Sequence, residues 1–266
     1  MGVYAIIPNI MESKISLKDK KLIAFDVDGT LSQSRIPIDS EMTDILKKLL
    51  AEKPVAIITG GAFADIERQV LTGIGIKNDL NKNLTLLPTN GGGLYTFDGE
   101  WKEISSHKLT AEEKQKITKA ICDVVGYDEC TNDKSGFGDK IQDRNSEITY
   151  SALGEHAPIE LKHAWDPDFK KRIILQKAFE EKLPEFEVKI GGTTSIDITP
   201  KGMDKAYGIN KLLNHLKLRK EDVLFFGDTV YENGNDYPVF LMGIDTIRVS
   251  GPEETKERLL RLLADK

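Results

Sequence analysis

Two carboxylates two residues apart follow an apolar run near the start of the chain. Asp26 and Asp28 lie in the segment FDVDGT, directly after the apolar residues 22–25. A buried strand over those residues would direct both side chains to the same face, where they could share one cation. The attack of a carboxylate on phosphorus requires such a cation, because the reaction brings two anions together. The alternative is a strand that ends in an ordinary Asp-Gly turn.

Residues at two further positions are suited to binding an anion. Thr59 follows the apolar run 55–58 and precedes Gly60-Gly61, so a hydroxyl and exposed backbone amides could bind phosphate there. Lys205 lies at the start of a predicted helix, where the helix dipole does not favour a cation, and this position suggests a role in ligand binding. The structural alternatives are a strand-to-helix turn for Thr59 and a surface position for Lys205.

A third acidic position follows another predicted strand. Asp228 comes after the strongly apolar run 223–226, and a polar loop containing Gly234-Asn235-Asp236 succeeds it. Ligands of open α/β sheets bind at the carboxyl ends of strands, so Asp228 could complete a metal site, whereas the alternative is a helix cap. Because ligand sets made only of oxygen favour magnesium over zinc, we predict Mg²⁺ as the cofactor.

Alternating strands and helices must position these residues. The hydrophobic patterns predict strands at 22–25, 55–58 and 84–87 with helices at 40–50 and 62–71 between them, and then a helix at 204–216, strands at 223–226 and 245–249 and a closing helix from 252. This βα alternation favours a parallel sheet. We therefore predict an α/β fold with a doubly wound, Rossmann-like core.

The middle of the chain has a different pattern. Glycines at 91–93 precede a predicted hairpin, Thr110 and Glu113 form a capping box, and Pro167 opens a helix that runs to about Leu183. Several alternating strands lie between and after these helices. The pattern predicts an α+β insert at 97–198 that interrupts a core formed by 1–96 and 199–266.

The composition excludes some classes of partner. The chain has 266 residues, of which 37 are basic and 43 acidic, and no dense basic run, so neither nucleic acid nor an anionic membrane surface is an expected partner. The two cysteines, Cys122 and Cys130, predict neither a disulfide framework nor a metal site. The apolar run 3–7 ends at Pro8, too short for a signal peptide, and no stretch reaches membrane-spanning length. We expect a cytoplasmic protein.

Taken together and in this order, the four motifs resemble those of the haloacid dehalogenase superfamily of aspartyl phosphotransferases. Within it the chain resembles the subgroup with a large α+β cap, and most of all the eukaryotic-type phosphomannomutases, over residues 26–255. The matching segments are Asn90-Gly91, Arg144-Asn145, the run 191–197, Asp204-Lys205, the run 225–228 and Gly234-Asn235-Asp236.

The resemblance implies a role for each matching residue. Asp26 would be the nucleophile and Asp28 the general acid/base, while Thr59, Gly60 and Lys205 would hold the reacting phosphoryl group. The implied metal ligands are Asp26, Asp28, Asp228 and Asp236, and the implied substrate-binding residues are Arg35, Arg144, Lys162, Ser195 and Asp197. The implied partner is a small phosphorylated sugar, and a homodimer formed through the cap is one expected assembly.

Two positions depart from the family pattern. Glu155 and Lys162 stand where the resembled cap carries arginines. A mutase must hold the distal phosphate of its sugar, and replacing a guanidinium by a carboxylate removes a bidentate anion site. We therefore favour a phosphatase of hexose phosphates and keep a phosphomannomutase as the alternative. A non-catalytic phospho-aspartate switch is a remote alternative, because such a module lacks both the cap and the acid/base Asp28.

Overall fold

The computed structural model describes residues 17–33, 35–127, 130, 137–191, 193–232 and 234–264. It contains two compact units. The first comprises the residues up to Ser106 and from Asp204 onward, and the second comprises His107–Met203. Each unit has its own sheet and its own hydrophobic core.

The strands and helices are numbered along the chain. The strands are β1 (Leu22–Phe25), β2 (Val55–Ile58), β3 (Leu84–Leu87), β4 (Gly93–Phe97), β5 (Trp101–Ser106), β6 (Ile141–Asp143), β7 (Ile148–Ser151), β8 (Phe186–Ile190), β9 (Ser195–Pro200), β10 (Val223–Gly227) and β11 (Asp245–Arg248). The α-helices are α1 (Ser40–Leu50), α2 (Phe63–Ile66), α3 (Thr72–Ile74), α4 (Ala111–Val125), α5 (Ile159–Trp165), α6 (Lys170–Lys182), α7 (Lys205–Leu216), α8 (Tyr237–Leu241) and α9 (Pro252–Ala264). A π-helical turn, Glu67–Leu71, joins α2 to α3.

A seven-stranded sheet forms the centre of the first unit. Its strand order is β11-β10-β1-β2-β3-β4-β5, with the first five strands parallel and β4 and β5 antiparallel. Ile23 and Phe25 of β1 belong to the core that includes α1 and α9, whereas Leu22 and Ala24 belong to the core that includes α7. Because successive residues of a strand face opposite sides, helices cover both faces of the sheet. The predicted doubly wound α/β fold is confirmed.

The second unit begins ten residues after the predicted start of the insert and ends five residues after its predicted end. Strand β5, which the prediction placed in the insert, pairs with β4, and β4 pairs with β3, so the hairpin extends the first sheet and the border falls after Ser106. At the other end, β9 continues to Pro200 in the sheet of the second unit, and the border falls after Met203. Strand pairing decides these borders, and a hydrophobic pattern does not reveal which sheet a strand joins.

A four-stranded antiparallel sheet forms the second unit, with the order β6-β7-β9-β8. Helices α4 and α6 contribute to its core, which includes Ile117, Ile121 and Phe179 packed with the inward residues of the strands. Helix α4 begins after the predicted capping box, in which Thr110 Oγ1 accepts from Glu113 N and the Glu113 carboxylate accepts from Thr110 N. The second unit is therefore an α+β structure.

Cys122 and Cys130 form a disulfide, with 5.1 Å between their Cα atoms. The cysteine count predicted no disulfide framework, and the structure corrects this: α4 ends at Val125 and Cys130 lies beside Cys122. Among the described residues, every helix is too short or too polar to cross a membrane.

Candidate active site

The ends of β1 and β10 bring the first acidic residues together. Both strands are buried and apolar over their whole length, and their parallel register places Phe25 beside Phe226. The backbone N–H of Asp26 donates to the carbonyl of Phe226 at 3.0 Å. Asp26 thus leaves β1 next to the strand that leads to Asp228, and its side chain is buried.

Lys205, the first residue of α7, is fully buried between carboxylates. Its Nζ lies 2.6 Å from Asp26 Oδ1, 2.6 Å from Asp236 Oδ1 and 3.3 Å from Asn235 Oδ1. Burial by itself lowers the pKa of the ammonium group, but the charges of Asp26 and Asp236 reverse this and hold the Lys205 pKa above its usual range. The lysine is therefore a permanent cation at the centre of the site, as a residue that compensates a phosphoryl group must be.

Three carboxylates surround this position. Asp26, Asp228 and Asp236 offer oxygens that all lie within 4.8 Å of one another. Burial, opposed by Lys205 and reinforced by the charges of Asp236 and Asp228, raises the pKa of Asp26 to about 7. Burial and Asp236 likewise raise the pKa of Asp228. One lysine leaves this trio with excess negative charge, and an oxygen-only donor set of this kind fits Mg²⁺.

Two glycines make room for the trio. A Cβ atom on Gly29, whose φ is +84°, would lie 2.4 Å from Asp228 Oδ2, and a Cβ on Gly227 would lie 2.5 Å from Asp236 Oδ2. Any larger residue at either position would displace a carboxylate. Asp236 is fixed by Thr229, whose N–H and hydroxyl donate to its Oδ2 at 3.0 and 2.9 Å.

Asp28 does not belong to the trio in the described structure. Its Oδ1 accepts from the backbone N–H of Arg35 at 2.6 Å and from Gln69 Nε2 at 2.9 Å. The expectation of a shared face with Asp26 assumed a continuing strand, but β1 ends at Phe25 and residues 27–32 form a tight turn. The Asp28 carboxyl is therefore held at two points and is half-buried. Gln69 was not predicted, since a glutamine within a helix has no distinctive sequence signal.

Thr59 and Gly60 lie at the end of β2, two strands away from β10 in the sheet. The Thr59 hydroxyl accepts from Gly61 N at 3.1 Å, which leaves its own proton to donate, and the residue is buried. The segment 89–91 runs alongside, where Asn90 N donates to the Thr59 carbonyl at 2.8 Å. Thr89, Asn90 and Gly91 all have positive φ values, a rare backbone conformation that tends to occur at functional sites.

A close backbone approach fixes the start of α7 against this segment. A Cβ atom on Gly91 would lie 2.2 Å from the Cα of Gly208, and one on Gly208 would lie 2.6 Å from the carbonyl oxygen of Asn90. Gly208 is in the first turn of α7, three residues after Lys205. The two glycines therefore set the distance between the Thr59 end of the site and the buried lysine.

The remaining predicted substrate residue of the first unit is Arg35. It has a positive φ of 62°, it is exposed, and its backbone rather than its side chain contacts Asp28. Its guanidinium lies outside the buried cluster, so Arg35 is not part of the acidic trio or its lysine. The Arg35 carbonyl accepts from Arg68 Nη1 at 2.7 Å, which supports the turn that carries it.

In the second unit, three of the predicted residues lie on strand β9 or in the turn that leads into its neighbour β7. Asp197 pairs in register with Thr149 of β7, Ser195 begins β9, and Arg144 lies in the turn between β6 and β7. Arg144 donates through Nη1 to Glu147 Oε1 at 3.1 Å and through Nη2 to Gln142 Oε1 at 2.9 Å. Glu147 was not predicted, because a single glutamate before a strand is usually a surface residue.

Glu155 and Lys162 also lie together in the second unit. Lys162 Nζ donates to the Glu155 carbonyl at 2.8 Å, and Glu155 Oε1 lies 3.2 Å from His156 Nε2. The lysine thus supports the turn that carries Glu155, and the carboxylate is partly exposed.

Comparison with known proteins identifies the class. The family model for haloacid dehalogenase-like hydrolases matches residues 23–242, and the chain belongs to that family. It is similar to the phosphomannomutase of Spinacia oleracea, with 29% identity covering 95% of this chain and 99% of that protein. It is also similar to the phosphomannomutase of Schizosaccharomyces pombe, with 31% identity covering 89% of this chain and 90% of that one.

Solved structures share the fold. A haloacid dehalogenase-like hydrolase from Bacteroides thetaiotaomicron has a TM-score of 0.64 at 17% identity, covering 91% of this chain and 99% of that one. An IMP-nucleotidase from Plasmodium falciparum has a TM-score of 0.63 at 19% identity, covering 94% of this chain and 72% of that one. At these identities the likeness concerns the fold alone.

Proposed function

We propose that the chain is a magnesium-dependent phosphotransferase that interconverts mannose 6-phosphate and mannose 1-phosphate through a phosphorylated Asp26. The observation that carries the reaction class is the buried Lys205 between Asp26 and Asp236, beside Asp228. The sugar and the isomerisation are supported by the similarity to phosphomannomutases over nearly the whole length of both proteins. This similarity favours the mutase over the phosphatase that the sequence alone had favoured.

The chemistry has two displacements at phosphorus. In the first, a carboxylate oxygen of Asp26 forms a bond to phosphorus as the bond to the sugar oxygen breaks, and Asp28 donates a proton to that oxygen. In the second, Asp28 takes the proton from an incoming hydroxyl, which attacks phosphorus and releases Asp26. Splitting one displacement into two lets the second acceptor be a different hydroxyl of the sugar.

The surrounding groups compensate the charge of the phosphoryl group. Lys205 brings a positive charge to Asp26 Oδ1, and the Thr59 hydroxyl with the Gly60 amide is available to donate to phosphoryl oxygens. Mg²⁺ held by Asp26, Asp228 and Asp236 would neutralise the remaining negative charge. Burial raises the pKa of Asp26 in the metal-free site, so the nucleophile depends on this compensation to remain ionised.

Hydrolysis of sugar monophosphates is the second candidate. One observation favours it: Glu155 places a carboxylate where a guanidinium would be needed to hold a distal phosphate in the resembled cap. Water would then replace the incoming sugar hydroxyl as acceptor, with Asp28 as its base. The core chemistry is the same in both cases, so only the second displacement distinguishes them.

A paired assay separates the two candidates. Mannose 1-phosphate is supplied with Mg²⁺ and a trace of hexose 1,6-bisphosphate, and both mannose 6-phosphate and inorganic phosphate are measured against time. The proposal expects isomerisation to exceed phosphate release, and the Asp26→Asn variant controls for contaminating enzymes. Phosphate release without isomerisation would establish the hydrolase, and neither product from any hexose phosphate would refute both candidates.

A further inference from the structure

A chain of four hydrogen-bonded side chains crosses the sheet of the second unit. It begins at Arg144, whose Nη1 lies 3.1 Å from Glu147 Oε1, and it continues from that carboxyl to Thr149 Oγ1 at 3.0 Å and from Thr149 to Asp197 Oδ1 at 2.9 Å. Glu147 is 2% exposed and Thr149 is fully buried. The chain is thus largely removed from water, although it ends on two residues that are expected to contact substrate.

The number of protons in this chain is the informative feature. A hydroxyl has a single proton, yet Thr149 Oγ1 lies within hydrogen-bond distance of two carboxyl groups. If Thr149 donates to Asp197, the contact with Glu147 is a hydrogen bond only when Glu147 carries a proton and donates it to Thr149. If Thr149 donates to Glu147 instead, Asp197 must hold the proton, so both contacts are hydrogen bonds only when one of the two carboxyl groups is neutral. Glu147 is the more deeply buried of the two, which favours it as the neutral partner.

The electrostatics agree with this assignment. Burial is the largest influence on Glu147 and, together with the negative charge of Asp197, raises its pKa to about 8, while Arg144 and the hydrogen bonds act in the opposite direction. Among the described residues, the charges that act most strongly on it are those of Asp197 on β9 and Arg144 on the preceding turn. Near neutral pH most Glu147 is protonated, and above pH 8 it becomes an anion beside the guanidinium.

The net charge of the Arg144–Glu147 pair consequently depends on whether Glu147 is protonated. When Glu147 is neutral, its carboxyl still accepts a hydrogen bond from Arg144 but does not cancel the positive charge. When Glu147 is ionised, the two form an ion pair, and an anionic ligand at Arg144 would meet a buried negative charge. Gln142, the other partner of Arg144, is neutral at every pH.

We propose that Glu147 is a specificity-determining residue. When Glu147 is protonated, the positive charge of Arg144 is available to bind an anionic end of the substrate. When Glu147 is ionised, it neutralises that charge. This inference rests on the proposed function, since it takes the distal phosphate of a hexose phosphate as the group at Arg144. It also bears on the repulsion between Glu155 and a distal phosphate, because Arg144 beside a neutral Glu147 supplies an anion site on the same unit. Binding of the phosphate would be accompanied by uptake of a proton at and above pH 8.

Equilibrium binding tests the proposal without reference to turnover. The probe is glucose 1,6-bisphosphate, titrated calorimetrically without metal between pH 6.5 and 9.5, on Asp26→Asn protein with and without Glu147→Gln. Glutamine mimics the neutral carboxyl and cannot ionise. We expect equal affinities at pH 7, a fall of up to roughly tenfold per pH unit above pH 8 for the parent, and an almost flat profile for the variant.

Two further measurements complete the experiment. Glu187→Gln, which removes a carboxylate from β8 of the same sheet, serves as matched control and should follow the parent. Carbon-13 NMR of the carboxyl groups, on protein that keeps Glu147, should show the pH midpoint of Glu147 titration rising when the bisphosphate binds. This measurement does not depend on how the glutamine variant folds. Parallel pH profiles for parent and glutamine variant, or an unmoved midpoint, would overturn the proposal, as would absence of binding at every pH. The expected profile in a protein that isomerises no hexose phosphate would refute the proposed function and leave the role of Glu147 standing.

Discussion

The two units bury carboxylates in different excess over cations. In the first unit, Lys205 faces Asp26 and Asp236 with Asp228 nearby, so one cation meets three carboxylates. In the second unit, Arg144 faces Glu147 and, through Thr149, Asp197, so one cation meets two. The first site has too much negative charge for a proton alone to relieve and is suited to a divalent metal. The second needs only one proton, which links its charge to pH.

On the proposed function, this difference separates the tasks of the two units. A site that compensates a phosphoryl group must keep its positive charge, and Lys205 does so because two buried carboxylates hold its pKa high. A site that selects among sugars gains from adjustable charge, and a buried glutamate next to an arginine provides it.

Replacing the nucleophile should abolish the chemistry of the first unit. Asp26→Asn keeps the size of the side chain but cannot form the acyl phosphate, and we expect turnover to fall by roughly 10⁴ or more. The measurement is steady-state turnover of mannose 1-phosphate with Mg²⁺. Asp44→Asn on the exposed side of α1 is the control and should keep parent activity. Retention of a tenth of the parent rate would remove Asp26 from the role of nucleophile.

Removing the lysine should affect stability as well as turnover. Lys205→Met leaves Asp26 and Asp236 buried and unpaired, and breaking a buried ion pair in this way costs about 3 to 5 kcal/mol. Chemical denaturation without metal measures the loss, and added Mg²⁺ should recover part of it. Lys211→Met, on the same helix but bonded only to backbone carbonyls, should cost far less. Equal losses in both variants would contradict the central place given to Lys205.

The acid/base role of Asp28 predicts a smaller effect on turnover. Asp28→Asn can still bond to the Arg35 amide through its oxygen, but it cannot transfer a proton, so we expect turnover to fall by about two to four powers of ten. Because the structure places Asp28 outside the acidic trio, the apparent affinity for Mg²⁺ should change little. A large loss of Mg²⁺ affinity would instead make Asp28 a ligand.

The metal-free protein should lose stability as pH rises. The folded pKa of Asp26, about 7, lies above its unfolded value of 3.8, so the folded state holds the extra proton between them. Stability from this group is fully present below pH 4 and is lost as pH rises towards 7, by up to about 4 kcal/mol. Thermal unfolding at pH 5 and pH 8, with and without Mg²⁺, tests this. Mg²⁺ should stabilise much more at pH 8, and equal stabilisation at both values would count against metal binding by Asp26.

Restoring a guanidinium in the second unit should have the smallest effect. Glu155→Arg exchanges a repulsive charge for a donor of two charge-assisted hydrogen bonds, and we expect affinity for a hexose bisphosphate to rise tenfold or more. Phosphate release from a monophosphate should change much less, because the reacting group is held at Asp26. The ratio of isomerisation to phosphate release is the readout. An unchanged ratio would show that Glu155 does not distinguish the two reactions.

The sequence was sufficient for the features that depend on local pattern. Apolar runs of four residues followed by Asp26, Thr59 or Asp228 predicted both the strands and the edge at which these residues lie, because a parallel strand buried on both faces requires such a run. The capping box at Thr110 was likewise visible, since it depends on residues three apart. Family membership followed from the order of these motifs.

Tertiary structure decided what depends on distant residues or on where a strand stops. The sheet to which β5 belongs is set by pairing with β4, and the direction of the Asp28 side chain is set by the end of β1 at Phe25. The disulfide required the return of the chain after α4. The link from Glu147 to Asp197 joins residues 50 positions apart through the register of β7 and β9, and its burial, which no sequence pattern records, is what raises the pKa of Glu147.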